Sequence, residues 1–380
     1  DEYPELFEGR IAVFIGSHQK FTEAETVALD AFCGTYDAVV FCDHTSGYKG
    51  KYRVPISILS SQEKAYCSLI DIDLLVHIGE ISGGYIAMRP KVVWRVNPDG
   101  ELRDTYHKLT CVFEMKEQTF FEHYVNNPST VHHTYLDTCM NELKATWAKV
   151  PDTLPFSNVW IAQQTACRIP ENSVLFLGIL NTWNYFDIPD TVYGYANTGG
   201  FGIDGYISSF IGASLAHPDK LYFCVAGDLA FFYDMNVVGN RHVGRNIRIL
   251  LVNNGKGTEF RNYIHSGSAF GEEADKFIAA GGHYGNKSHC LVKHYAEDLG
   301  YEYLSADSKE EYLKNLGRFL TPDVTEHPML FEVFTDNENE SAAIRIINNL
   351  NVSVTGVLKN TVKSIVGERG KEVIRKMLGK

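Results

Sequence analysis

Short unbroken apolar runs separated by polar, turn-rich stretches recur along this chain. Residues 10–16 (RIAVFIG) form the first, closed by glycine, and residues 37–42, 74–79 and 91–96 repeat the pattern. Such runs predict strands buried on both faces, as a parallel sheet requires. Between the first two, residues 22–32 place Ala, Val and Leu on one face behind Thr22, a residue suited to capping a helix start. Strands alternating with helices predict a parallel sheet with helices on both faces. The pattern restarts with runs at 173–180, 221–226, 247–252 and 329–333. Ser157 predicts a helix cap, with its helix reaching about residue 167. Further helices are predicted at 205–216, with a small-residue face of Ser209, Gly212 and Ala213, and at 274–280, 289–299, 339–350 and 361–378. The last is rich in Lys and Arg and reads as a solvated helix face. The chain is therefore expected to be α/β, with two parallel-sheet domains. The first covers residues 1–143, a linker with two prolines covers 144–156, the second domain covers 157–345, and a helical tail covers 346–380. There is no internal repeat and no low-complexity segment.

Composition narrows the function classes. At 380 residues and 44% hydrophobic content the chain suits two ordinary domains. Its net charge is −12, from 35 basic and 47 acidic residues, and no basic block stands out, which argues against a nucleic-acid partner. No apolar run approaches the roughly 20 residues of a membrane helix, so no membrane partner is expected. The acidic start, DEYPELFEGR, has no signal-peptide pattern. Eight cysteines lie scattered without a C-x-x-C pair, several inside apolar runs, which predicts reduced thiols and a cytoplasmic location. After the first strand the chain reads GSHQKF, without G-x-G-x-x-G, and residues 79–84 (GEISGG) have the wrong glycine spacing. Turns, rather than a flavin or nicotinamide site, are expected there.

The most informative chemistry lies between Cys224 and Phe260, CVAGDLAFFYDMN…RILLVNNGKGTEF. A buried strand is expected to end at Gly227, with a sharp turn there that would let Asp228 face outward. A helix starts just behind, offering free backbone N–H groups and a partly positive end. The next buried strand ends in Asn253 and Asn254, and open parallel sheets bind ligands at those ends. Asp228 and the Asn254 amide are hard oxygen donors, suited to Mg²⁺ that completes its shell with phosphate oxygens and water. Either motif alone is common as a helix cap or a strand end. Their register, with GIDG upstream at 202–205, points to a site.

This pair of motifs resembles the signature of thiamine diphosphate (ThDP) enzymes, Gly-Asp-x followed by Asn-Asn. The usual third glycine is Leu229 here, and the 23 residues between Leu229 and Asn253 make a slightly short gap. Gly-Asp-Leu with YDMN downstream, YANTGGFGIDG at 195–205 and GILNT at 178–182 resemble the MenD-type enzymes of menaquinone synthesis. So does Trp94-Arg95-Val96 leading to Asp104, and the matches run in order along nearly the whole chain. The resemblance implies two Rossmann-like domains, a middle domain without flavin and a diphosphate-binding domain with the ThDP-binding fold. It implies ThDP and Mg²⁺ as cofactors. Asp228, Asn254 and the backbone carbonyl of Lys256 would hold the metal. Gly227, Leu229 and Ala230, with Asn181 and Thr182, would surround the diphosphate. Asn197 and Gly202 belong to the same cofactor-binding segment, and Ile203 would wedge between the two rings.

The resemblance also implies what this stretch does not supply. In the family the activating glutamate comes from a pyrimidine-binding domain, N-terminal to the middle domain. Glu259 and Glu272 lie near the metal loop but match no such place, so no catalytic residue is assigned in this chain. It is expected to be inactive alone and to need a pyrimidine-binding domain in cis or in trans. MenD-type enzymes hold substrate carboxylates with arginines where Phe186 and Thr198 stand here, and neither side chain can form an arginine fork. A less charged 2-oxo acid is expected, with Phe260 and His283 as further substrate contacts. Because the cofactor bridges subunits in this superfamily, a homodimer or homotetramer is expected. The expected activity is a ThDP- and Mg²⁺-dependent 2-oxo acid decarboxylase or carboligase. The alternatives are synthesis from 2-oxoglutarate and isochorismate, or a non-catalytic subunit carrying the diphosphate half of a composite site.

Overall fold

The computed structural model describes residues 3–5, 9–125, 134–255, 257–277 and 288–352. Lys256, His283 and the helix expected at 361–378 lie outside the described residues.

The first sheet is formed by β1 (Ile11–Ile15), β2 (Val39–Cys42), β3 (Arg53–Pro55), β4 (Asp71–Ile78), β5 (Arg89–Asn97) and β6 (Leu109–Glu114). Its order is β3-β2-β1-β4-β5-β6, and every pairing is parallel. The second is formed by β7 (Val174–Leu177), β8 (Tyr193–Tyr195), β9 (Tyr222–Gly227), β10 (Ile247–Asn253), β11 (Glu302–Ala306) and β12 (Met329–Phe334). Its order is β11-β12-β10-β9-β7-β8, again parallel throughout. The chain is thus α/β with two six-stranded parallel sheets, as its apolar runs predict.

Local sequence explains where the helices begin. Thr22 and Glu25 form a reciprocal cap: the Glu25 N–H donates to Thr22 Oγ1 at 3.2 Å, and the Thr22 N–H donates to the Glu25 carboxylate at 2.7 Å. Ser157 Oγ accepts from the Trp160 N–H at 3.3 Å and opens the helix Asn158–Thr165. The helix Thr134–Trp147 carries Tyr135, Cys139, Leu143 and Thr146 on its buried face. That helical spacing continues past residue 143, so the start of the expected linker is the last turn of this helix. The first residue that would break it is Pro151.

Packing joins the two sheets. One apolar cluster includes Phe14 and Phe41 from the first sheet, Leu143 and Trp160 from the intervening helices, and Leu175 and Phe331 from the second sheet. Separate clusters cover the outer faces, around Phe32 and Phe120 on the first sheet and around Phe210 and Cys224 on the second. All eight cysteines are free. Among the described residues no helix is long and apolar enough to cross a membrane.

Candidate functional site at a strand-order reversal

In the second sheet β7 pairs with β8 on one side and β9 on the other. The chain runs outward from β7 to β8, then crosses back to β9, so the strand order reverses between β7 and β9. Outside the carboxyl ends of two such strands an open parallel sheet leaves a crevice. The residues that emerge there are Gly178 to Thr182 after β7 and Gly227 and Asp228 from β9. Val252 of β10 is level with Gly227, so Asn253 and Asn254 rise from the neighbouring strand end.

Backbone in this crevice is open to approach. A Cβ added to Gly178 or to Gly227 would meet no atom within 4 Å. Asp228 is buried, opens the helix Asp228–Asp234, and accepts a 2.7 Å hydrogen bond from the Leu229 N–H. Leu229 and Ala230 form the first turn of that helix, where backbone N–H groups lack helical partners. Asn254 donates to Thr258 Oγ1 at 3.4 Å, while its Oδ1 is buried with no hydrogen-bond partner among the described residues. Buried acceptors are normally satisfied, and an amide oxygen left open at a strand end is a donor suited to a cation. Among the described residues no group of three or more His, Cys, Asp or Glu side chains could hold a metal. This donor set fits a hard ion that takes few protein ligands and shares phosphate oxygens, rather than an all-protein cage.

Asn181 and Thr182 are held from below by Asn158, a residue that no motif marks. Asn158 Nδ2 donates to Asn181 Oδ1 at 3.1 Å and to Thr182 Oγ1 at 3.2 Å, and its Oδ1 accepts from Trp183 Nε1 at 3.0 Å. Leu180, just before the turn, has φ of 59°, and its N–H donates to the Gly83 carbonyl of the first sheet's unit at 2.8 Å. Tyr206 is also unmarked in the sequence. Its buried hydroxyl lies 2.9 Å from the carbonyl oxygens of both Phe176 and Val225, which ties the helix after GIDG to β7 and β9.

The GIDG segment forms a tight loop. Asn197 donates to the Asp204 carbonyl at 2.6 Å and accepts from the Gly199 N–H at 3.1 Å, so both ends of its amide shape the loop. Gly202 has φ of 75°, and a Cβ there would lie 2.8 Å from the Asn197 carbonyl and from Ile179 Cγ1. Ile203 is half-buried and, among the described residues, is in none of the three apolar clusters.

The expected substrate contacts are scattered. Phe186 lines a small cavity at the seam between the sheets with Asp43, His44, Lys49 and Arg53, and none of the candidate cofactor residues lines it. Thr198 is half-buried and makes no side-chain hydrogen bond among the described residues. Phe260 packs its ring edge-on to His265, centroids 4.9 Å apart, in the loop after Asn254.

No protein-family model matches the chain. It is 33% identical over 263 residues to a 2-succinyl-5-enolpyruvyl-6-hydroxy-3-cyclohexene-1-carboxylate synthase of Bacteroides thetaiotaomicron. The same figures hold for the synthase of that name from Phocaeicola vulgatus. The chain belongs to the MenD-like branch of the thiamine diphosphate enzyme superfamily. Each alignment covers 67% of this chain and 44% of the relative, so the chain spans less than half the length of these curated MenD-type synthases. The superfamily fold is seen independently. The structure resembles a Rhodococcus jostii RHA1 thiamine diphosphate-dependent 4-hydroxybenzoylformate decarboxylase with a TM-score of 0.54 and 14% identity, over 86% of this chain and 61% of that one.

Proposed function

We propose that this chain carries the diphosphate half of a ThDP- and Mg²⁺-dependent site in a 2-oxo acid decarboxylase or carboligase. The observation that carries the reading is the strand-order reversal between β7 and β9, where open backbone at Gly178 and Gly227 stands beside Asp228, and Asn254, whose Oδ1 has no partner among the described residues, rises from the next strand end. Asp228 and Asn254 would hold the cation, with the Lys256 carbonyl as a third ligand. The first helical turn at Leu229 and Ala230 would receive phosphate oxygens through backbone N–H groups. Asn181 and Thr182 would close the other side, and Ile203 would support the bent cofactor. When bound, ThDP supplies the carbanion chemistry that cleaves or forms the bond next to a 2-oxo group, and the protein orients it. A pyrimidine-binding domain, in cis or in trans, would supply the activating glutamate. The assembled protein would be a homodimer or homotetramer.

The test is calorimetric titration of ThDP with and without Mg²⁺, beside Asp228→Ala. Metal-dependent binding lost in the variant supports the reading. Binding of equal strength in both proteins overturns the placement of the metal.

A second reading is the synthase activity named for the MenD-type relatives, which identity over 263 residues favours. Here Phe186 and Thr198 stand where the family's carboxylate-binding arginines would be. Turnover of 2-oxoglutarate with isochorismate by the full-length gene product would decide for it, and turnover restricted to uncharged 2-oxo acids would decide against it.

A further inference from the structure

We propose that Glu340 is a positioning residue of the cofactor site, whose buried carboxylate fixes Asn158 and through it the turn of Asn181 and Thr182. The inference rests on the cofactor reading above. Glu340 lies in the helix Asn337–Ile347, beyond the end of β12, and is 3% exposed. Both of its carboxylate oxygens receive the Asn158 N–H, at 2.9 and 3.1 Å, and the Thr335 hydroxyl donates to one of them at 2.7 Å. Asn158 is the first residue of its helix, where an N–H has no intrahelical acceptor. A carboxylate there satisfies it and complements the positive helix end.

The side chain of Asn158 does the second half of the work. Its two amide protons go to Asn181 and Thr182, and its oxygen takes the Trp183 indole proton. One asparagine thus spans three successive residues of the turn, and it is held in place by Glu340. A shift of Asn158 would move all three together.

Burying a carboxylate is costly, and a helix start capped by Ser157 does not require one. Burial, with Asp336 and Asp228 nearby, raises the Glu340 carboxyl to about 7. The fold therefore keeps an expensive group at the point where β12, the helix Asn158–Thr165 and the β7 turn converge. Sequence offers no sign of it, since Glu340 is one of several acidic residues in DNENES.

The test uses Glu340→Leu, which removes both acceptor oxygens at similar size, in the full-length gene product and reads two quantities. The first is amide hydrogen exchange without ligand. The peptide holding residues 181–185 is expected to exchange at least about tenfold faster, with strand peptides of β9 and β10 unchanged. The second is the ThDP dissociation constant with Mg²⁺, followed by fluorescence of the buried Trp183, expected to rise about tenfold as for other outer-shell partners. Uniform acceleration across the protein, or none in a folded variant, overturns the proposal, as does unchanged ThDP affinity. If wild-type protein does not bind ThDP, the cofactor reading fails while the exchange arm still decides whether Glu340 orders the turn. Should Glu340→Leu fail to fold, Glu340→Asp, which withdraws the carboxylate by one methylene, is expected to give the same local signature.

Discussion

Asn253 donates its side-chain amide to the Glu332 carboxylate at 2.8 Å, from β10 to its neighbour β12. The other Glu332 oxygen accepts from the Tyr303 hydroxyl at 2.7 Å. Glu332 is 1% exposed, and burial pushes its carboxyl above the ordinary range. The pair fixes the strand end from which Asn254 emerges. Glu332→Ala would strand the buried Asn253 amide and the half-buried Tyr303 hydroxyl, so it is expected to destabilise the protein by about 1–3 kcal/mol. Glu332→Gln keeps one acceptor and is expected to cost about half as much. Urea unfolding midpoints check both, and equal values for the two variants would refute the account.

Glu340 gives a pH signature with a definite sign. Its carboxyl is raised from 4.5 to about 7, so the folded state binds this proton more tightly than the unfolded state. The stabilisation is full below the ordinary carboxyl pKa and is lost as pH rises toward and through about 7. A shift of that size corresponds to on the order of 3 kcal/mol between about pH 4 and pH 8. His18, also raised, acts in the same direction. The diagnostic quantity is therefore the difference between wild type and Glu340→Gln across this window. Parallel stability curves would show that Glu340 does not titrate there.

Leu180 holds φ of 59° while 54% exposed. A branched side chain in the left-handed region is strained, and such strain clusters at ligand sites. Here it aims the Leu180 N–H at Gly83 and starts the turn of Asn181 and Thr182. Leu180→Gly is expected to change stability by less than about 1 kcal/mol, because little burial is lost and strain is relieved. Leu180→Val is expected to cost about 1–2 kcal/mol. Thermal unfolding of the pair tests the order.

The four strands that apolar runs do not announce are β3, β6, β8 and β11, and these are the four sheet edges. An edge strand needs no continuous apolar run. β11 reads EYLSA with only its last residue buried, and β8 is only Tyr-Gly-Tyr. Central strands such as β10, buried at every position, are legible because both faces and both neighbours exclude water. The site divides the same way. Asp228, Asn254, Gly227 and the GIDG loop are marked by motifs because each meets its requirement within a few residues of chain. Asn158, Tyr206, Glu332 and Glu340 act through partners up to 182 residues away, which no local pattern encodes. Phe186, expected only from the resemblance, lines a cavity with His44 and Arg53 at the seam between the sheets.

Gly178 and Gly227 separate a ligand's demands from those of the fold. Gly227 has ordinary extended angles, φ −76° and ψ 162°, and Gly178 is absent from the residues with positive φ. Since an added Cβ at either would meet nothing within 4 Å, alanine fits without strain. Losing a glycine also narrows the unfolded ensemble, so each variant is expected to be as stable as wild type or more so by about 0.4–1 kcal/mol. The same methyl groups stand where a diphosphate would approach the backbone. ThDP affinity in the presence of Mg²⁺ is therefore expected to fall by about tenfold or more, the worth of roughly 1.4 kcal/mol. A stable Gly227→Ala protein that binds ThDP as tightly as wild type would place the diphosphate elsewhere. Weaker binding at unchanged stability would tie the open backbone of this crevice directly to the cofactor.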